Sequence, residues 1–100
     1  MVTEQKLLTI FECLANPIRL SIYLNTYKAE QRGINLNLLE SVYPHNVLRS
    51  SITHHVNILV KNDILKRTKL GKNVHLSPNK DTIIILENFF AQITTNDLIY

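Results

Sequence analysis

Apolar residues recur at helical spacing over most of this chain and at extended spacing over one short stretch. Leu7, Ile10, Phe11 and Leu14 fall at i, i+3, i+4 and i+7, a single stripe that predicts a helix over about 3–15. Asn16-Pro17 interrupts it: the asparagine suits the cap of a second helix and the proline suits its first turn, where no N–H is needed. That helix is expected over about 17–29, with Ile18, Ile22 and either Leu24 or Tyr23 facing inward, and Gly33 closes the region as a positive-φ turn residue. A short third helix is expected over about 35–42, burying Leu36, Leu39 and Val42 or Tyr43. Tyr43-Pro44-His45-Asn46 forms the next break, with Asn46 as the expected cap of a fourth helix over about 47–62. After Asp63 the period changes. Ile64 to Leu70 and Asn73 to Leu76 are expected as two strands of a hairpin turning at Gly71-Lys72, and Pro78-Asn79 leads into a last helix over about 80–94.

The order is therefore four helices, a hairpin and a fifth helix, a mainly α domain with a β-hairpin wing. Only two glycines and three prolines occur among 100 residues, which favours long helices with short connections over a turn-rich β sandwich. A chain of this length suits one domain, residues 1–100, and 45% hydrophobic residues are enough for a core. No apolar run approaches about 18 residues, so no membrane span is expected, and the N-terminal stretch lacks the pattern of a signal peptide. Cys13 is the only cysteine, which excludes an internal disulfide and a multi-cysteine zinc site and fits a reducing, cytoplasmic location.

Charge sharpens this picture by its distribution rather than its sum. The formal net charge is +3. Over 1–46 the charges cancel; over 47–76 Arg49, Lys61, Lys66, Arg67, Lys69 and Lys72 oppose Asp63 alone, which leaves +5; over 77–100 the balance is −2. A positive field confined to one segment is what a polyanionic partner requires.

The fourth helix carries that field on one side. At about 100° per residue, Leu48, Ile52, Val56 and Leu59 cluster as a core stripe, while Ser50, His54, Asn57 and Lys61 cluster opposite, with Thr53 at the edge. The second set is short, polar or cationic, as a surface pressed against base edges and phosphates would be. An ordinary solvated face mixes both signs, yet no acid occurs before Asp63. His54 points with Asn57 and Lys61, whereas His55 lies beside Ile52 and Leu59 and is expected at the core edge with one local hydrogen bond. Neighbours on a helix diverge too far to share one ion easily, so no metal site is assigned to the pair. Lys66, Arg67, Lys69 and Lys72 on the hairpin suit phosphate contact or a narrow minor groove. A basic ribbon edge that discourages strand pairing is the plainer account, and it leaves the acid-free tip unexplained.

Three segments carry a resemblance. Cys13-Leu14-Ala15-Asn16-Pro17-Ile18-Arg19-Leu20-Ser21-Ile22 resembles the "LADPTRLRIL" opening of ArsR-type winged helix-turn-helix repressors. Ser50-Ser51-Ile52-Thr53-His54-His55-Val56-Asn57-Ile58-Leu59 resembles their "STVSRHLKVL" recognition helix, and Ile64-Leu65, Gly71 and Val74-His75-Leu76 resemble their wing. The resemblance spans about residues 5–78 in the family's order. It implies a dimer that binds operator DNA and often releases it on sensing a ligand. It also has departures. Leu36-Asn37-Leu38 stands where many members carry a metal-sensing Cys-x-Cys, the last helix holds no histidine, and Asp63 replaces a usual glycine. The loop from Tyr43 to Val47 fits the family poorly. No cofactor is assigned, and no effector is identified.

Dimerisation is expected on separate grounds. Leu86, Phe89, Phe90 and Ile93 form a stripe on the last helix, and Ile83, Ile84 and Ile85 spread apolar surface around the rest. One neighbouring helix cannot cover this, so a second subunit is expected on Ile84, Leu86, Phe89, Phe90 and Ile93 together with Leu7, Leu8 and Phe11 of the first helix. Cys13 reads as a buried small hydrophobe, with a redox switch as the sharper alternative. The sequence thus predicts a homodimeric repressor that binds double-stranded DNA through Arg49, Ser50, Ser51, Thr53, His54, Asn57, Lys61 and the four hairpin cations. The competing class is a winged-helix protein–protein module in a larger assembly. An enzyme is not expected: there is no phosphate-cradling glycine loop and no nucleophile beside a base.

Overall fold

The computed structural model describes residues 2–28, 34–44 and 47–96. Its elements are α1 (Val2–Leu14), α2 (Pro17–Lys28), β1 (Ile34–Asn35), α3 (Leu36–Ser41), α4 (Arg49–Lys61), β2 (Leu65–Leu70), β3 (Asn73–Pro78) and α5 (Lys80–Asn96). All five helices and the hairpin match the expected order within a few residues. Gly33, His45 and Asn46, to which turn and cap roles were assigned, lie outside the described residues.

Local chemistry explains several of these boundaries. Asn16 Oδ1 accepts from the N–H groups of Ile18 at 3.0 Å and Arg19 at 3.1 Å, so it caps α2 while Pro17 fills the first turn. Asn35 does the same for α3, accepting from the Asn37 N–H at 2.8 Å, and Asn79 for α5, accepting from Asp81 at 2.9 Å. The cap position of α4 is occupied by Leu48, whose side chain makes no capping bond. Leu48 is therefore not part of the core stripe: it is 68% exposed, because the helix begins after it rather than before it. The end of α4 is a Schellman turn. The Ile64 N–H reaches back to Leu59 O at 2.9 Å and the Asp63 N–H to Val60 O at 3.1 Å, with Asp63 at φ 60°. Leu59 and Ile64 are both buried, which supplies the hydrophobic contact that accompanies this turn.

A third strand joins the expected hairpin. β3 pairs antiparallel with β2 on one side and with the two-residue β1 on the other, giving the order β1-β3-β2. Ile34 faces Leu76 and Asn35 faces His75. A two-residue strand has no periodicity to detect, so β1 was absent from the sequence expectation. The hairpin turns through Gly71 at φ 63°, the first of its two loop residues, where this class of tight hairpin needs a left-handed backbone.

The core lies where α1, α2, α3, α4 and the base of the sheet converge. Ile10, Cys13, Ile22, Tyr23, Leu39, Ile52, Val56, Leu59, Ile64, Leu65 and Leu76 are buried together. Each large aliphatic among them contributes roughly 1.5–3 kcal/mol. In α2 the inward choice is Tyr23 rather than Leu24, and after α3 Val42 is exposed while Tyr43 is half-buried, its hydroxyl 3.1 Å from Ser21 Oγ. The buried Thr82 hydroxyl donates to Asp63 O at 2.8 Å, pinning α5 to the turn that follows α4. Among the described residues no single helix is long and apolar enough to cross a membrane.

Candidate nucleic-acid interface

α3 and α4 form the two arms of a helix–turn–helix, and one ion pair clamps them. Arg49 Nε, at the first position of α4, lies 2.5 Å from Glu40 Oε2 on α3. The carboxylate is nearly enclosed while the arginine approaches from solvent. Arg49, singled out above for DNA, thus meets Glu40, which the sequence did not single out, through Nε alone, while its side chain stays largely exposed.

A second link holds the inner side of α4. Arg19 Nε donates to Cys13 O at 2.6 Å and its Nη1 donates to His55 Nδ1 at 3.1 Å. A guanidinium has only donors, so His55 Nδ1 must be the acceptor and the ring is neutral. Burial, then the Arg19 charge, then His54 hold the His55 pKa below 6.5. The expected local hydrogen bond of His55 is in fact a long-range one, because its side chain turns toward α2. Arg19 therefore ties the end of α1 and the start of α2 to α4. Burial pushes the Cys13 thiol up from 9.0, with Arg19 partly offsetting it. A buried thiol with little thiolate behaves as a small hydrophobe, which disfavours the redox alternative.

With its inner side fixed, α4 presents the other outward. Ser50, His54, Asn57 and Lys61 are all exposed, and Ser51 and Thr53 are half-buried beside them. The Ser51 and Ile52 N–H groups both bond to Leu48 O, which leaves the Arg49 and Ser50 N–H groups without a partner within the helix, at its positive end. No acidic side chain occurs within α4.

The ribbon adds charge next to this face. Lys66, Arg67, Lys69 and Lys72 are all exposed, but they do not share one side. Arg67 opposes Leu76 and Lys69 opposes Val74, on the ribbon face that includes buried Leu65; Lys66 opposes Ser77 on the other face, and Lys72 lies in the turn. Arg67 reaches the exposed face of α4 directly: its Nη2 donates to Asn57 Oδ1. This helix-to-ribbon contact was not legible in the sequence, where Arg67 was grouped with the phosphate-binding cations.

Away from this surface, α1 and α5 pack together through an edge-on pair of Phe11 and Phe89, centroids 5.2 Å apart. Leu7, Leu86 and Phe89 are half-buried, whereas Leu8, Phe11, Ile84, Phe90 and Ile93 are exposed. Leu86 and Phe90 also line an open apolar cleft of about 470 Å³ against Tyr23, Leu24 and Tyr27 of α2. Ile84 stands apart, nine residues before Ile93 and so on the opposite side of α5.

No protein-family model matches this chain. No curated protein sequence matches it either. Solved structures do match in fold. An ArsR family transcriptional regulator superposes with TM-score 0.72 at 17% identity, covering 92% of this chain and 90% of that one. An ArsR-like transcriptional regulator from Rhodococcus sp. RHA1 gives 0.70 at 19%, covering 99% and 92%. HlyU from Vibrio cholerae N16961 gives 0.66 at 17%, covering 88% and 95%. The chain has the winged helix-turn-helix fold of ArsR-type regulators over almost its whole length.

Proposed function

We propose that this protein is a sequence-specific regulator of transcription, a homodimeric repressor that binds double-stranded DNA through α4 and the β2–β3 ribbon. α4 enters the major groove, its N-terminus on the backbone, while the ribbon contacts phosphates or the neighbouring minor groove. The observation that carries this reading is the exposed, acid-free face of Ser50, His54, Asn57 and Lys61 beside the cationic ribbon. Two of the structures that share the fold are transcriptional regulators, which supports the same reading. A two-fold dimer calls for a roughly palindromic site with half-sites about one helical turn apart. The chain acts by binding and carries out no reaction of its own.

Selection of bound duplexes from a random library tests the proposal, because it reports binding, symmetry and half-site spacing together. Enrichment of a palindrome supports it; no enrichment at low salt sinks it and favours a protein–protein module. Within a bound site, K61M and K69M each weaken binding to all sequences alike and lower the salt slope by about 1. H54A and N57A change base preference instead. Equal losses on specific and random DNA for all four variants would contradict that division.

A further inference from the structure

The contact between Arg67 and Asn57 joins an exposed residue of the ribbon to an exposed residue of the recognition face. Strand alternation explains why they meet. Arg67 shares its ribbon face with Leu65, which is buried at the foot of the strand, so the arginine projects on the side that packs against α4. Asn57 lies one helical turn before Lys61 on the exposed face of α4.

The chemistry of the pair fixes the orientation of the amide. A guanidinium carries five N–H donors and no acceptor, so the group of Asn57 that faces it must be Oδ1. The Nδ2 amino group is thereby turned away from the ribbon. An asparagine that reads adenine in the major groove uses both ends of its amide at once, accepting from N6 and donating to N7. With one of the two Oδ1 lone pairs taken by Arg67 and Oδ1 drawn toward the ribbon, the pair presents chiefly donors, the Asn57 Nδ2 and the remaining guanidinium N–H groups, which biases it against the bidentate adenine contact. Arg67 meanwhile pairs with a neutral partner, so its positive charge and remaining donors stay free.

Resting on the DNA-binding reading above, we infer that Asn57 and Arg67 form a donor-rich reading head, which selects an acceptor-only base edge, guanine O6 and N7, and disfavours adenine at the position Asn57 reaches. Asn57 touches the base. Arg67 is a specificity-determining positioning residue rather than one more phosphate contact.

The experiment is library selection with the full chain as wild type, N57A, R67M, R67K and K69M, each first checked for an unchanged urea midpoint. N57A identifies the position by flattening its preference. Wild type prefers guanine over adenine there by about tenfold, the discrimination expected of one well-placed contact. R67M releases the amide and admits adenine at that position. R67K restores a donor-only partner and with it the guanine preference. K69M removes a charge from the same ribbon face and lowers affinity without changing the profile. A wild type that enriches nothing overturns the DNA-binding reading itself. A wild type that enriches sites overturns this assignment alone if R67M and K69M share one base profile, or if adenine is already preferred where N57A acts.

Discussion

Asp63 is the described non-glycine residue held at positive φ, at 60°. The Schellman turn needs that backbone at the residue after the helix cap, and the resemblance implied a glycine there. A left-handed conformation costs an L-residue roughly 1–2 kcal/mol, less for aspartate than for most, and glycine gives back part of the gain through its freer unfolded chain. A carboxylate at the negative end of α4 is a further small penalty. D63G should therefore raise stability by about 0.5–1 kcal/mol, read as a higher urea midpoint with an unchanged slope; a fall would mean that the side chain makes a contact that offsets the strain. His55 gives the opposite kind of residue-scale test. Its folded pKa is held below 6.5, so at mildly acid pH the unfolded chain binds a proton more readily than the folded one. The His55 contribution to stability is complete above pH 6.5, falls as pH drops through 6.5 toward the folded value, and changes no further below it. H55N keeps an acceptor for Arg19 without titrating, so the loss of midpoint between pH 7.5 and 5.5 should shrink in that variant. An equal loss in both proteins would remove His55 from the account.

At the scale of elements, α4 is unusual in starting without a side-chain cap. Leu48 occupies the cap position while largely exposed, so its replacement forfeits little burial. L48S supplies an acceptor for the first N–H groups of α4 and should stabilise the fold by about 0.5–1 kcal/mol, measured by urea or thermal unfolding; no gain would show that those N–H groups are already satisfied. The same residue shows where sequence reading stops. The 3.6 period placed every helix, because a buried stripe is a local signal. It also extended the α4 stripe one turn too early, since Leu48 continues the spacing although the chain has not yet turned helical. The exposed face of α4 was legible as the complement of that stripe. β1 was not, being two residues whose strand character comes only from pairing with β3. Nor were the pairs Arg49–Glu40, Arg19–His55 and Arg67–Asn57, which join different elements and depend on where the folded backbone delivers long side chains. The fold was therefore readable from local patterns, whereas the inner wiring of the site was not.

At the scale of the whole molecule, one patch of the apolar surface left by folding lies on the α1–α5 side. Phe11 and Phe89 join the two helices within one chain, yet Leu8 remains 57% exposed, Phe90 58% and Ile93 46%. A second copy laid on this surface would bury these side chains and hold two recognition helices at a fixed separation, which is the geometry a palindromic site needs. The interface is expected on Leu8, Phe11, Phe90 and Ile93, with the half-buried Leu7, Leu86 and Phe89 beneath them. Ile84 points to the other side of α5 and provides the control. F90D/I93D should convert a dimer into a monomer in sedimentation experiments and weaken binding to a two-half-site duplex far more than to a single half-site, because the second contact is no longer made at high effective concentration. I84D, an equal insult to an exposed apolar side chain, should leave both properties unchanged. If I84D dissociates the protein and F90D/I93D does not, the subunits meet on the opposite side of α5.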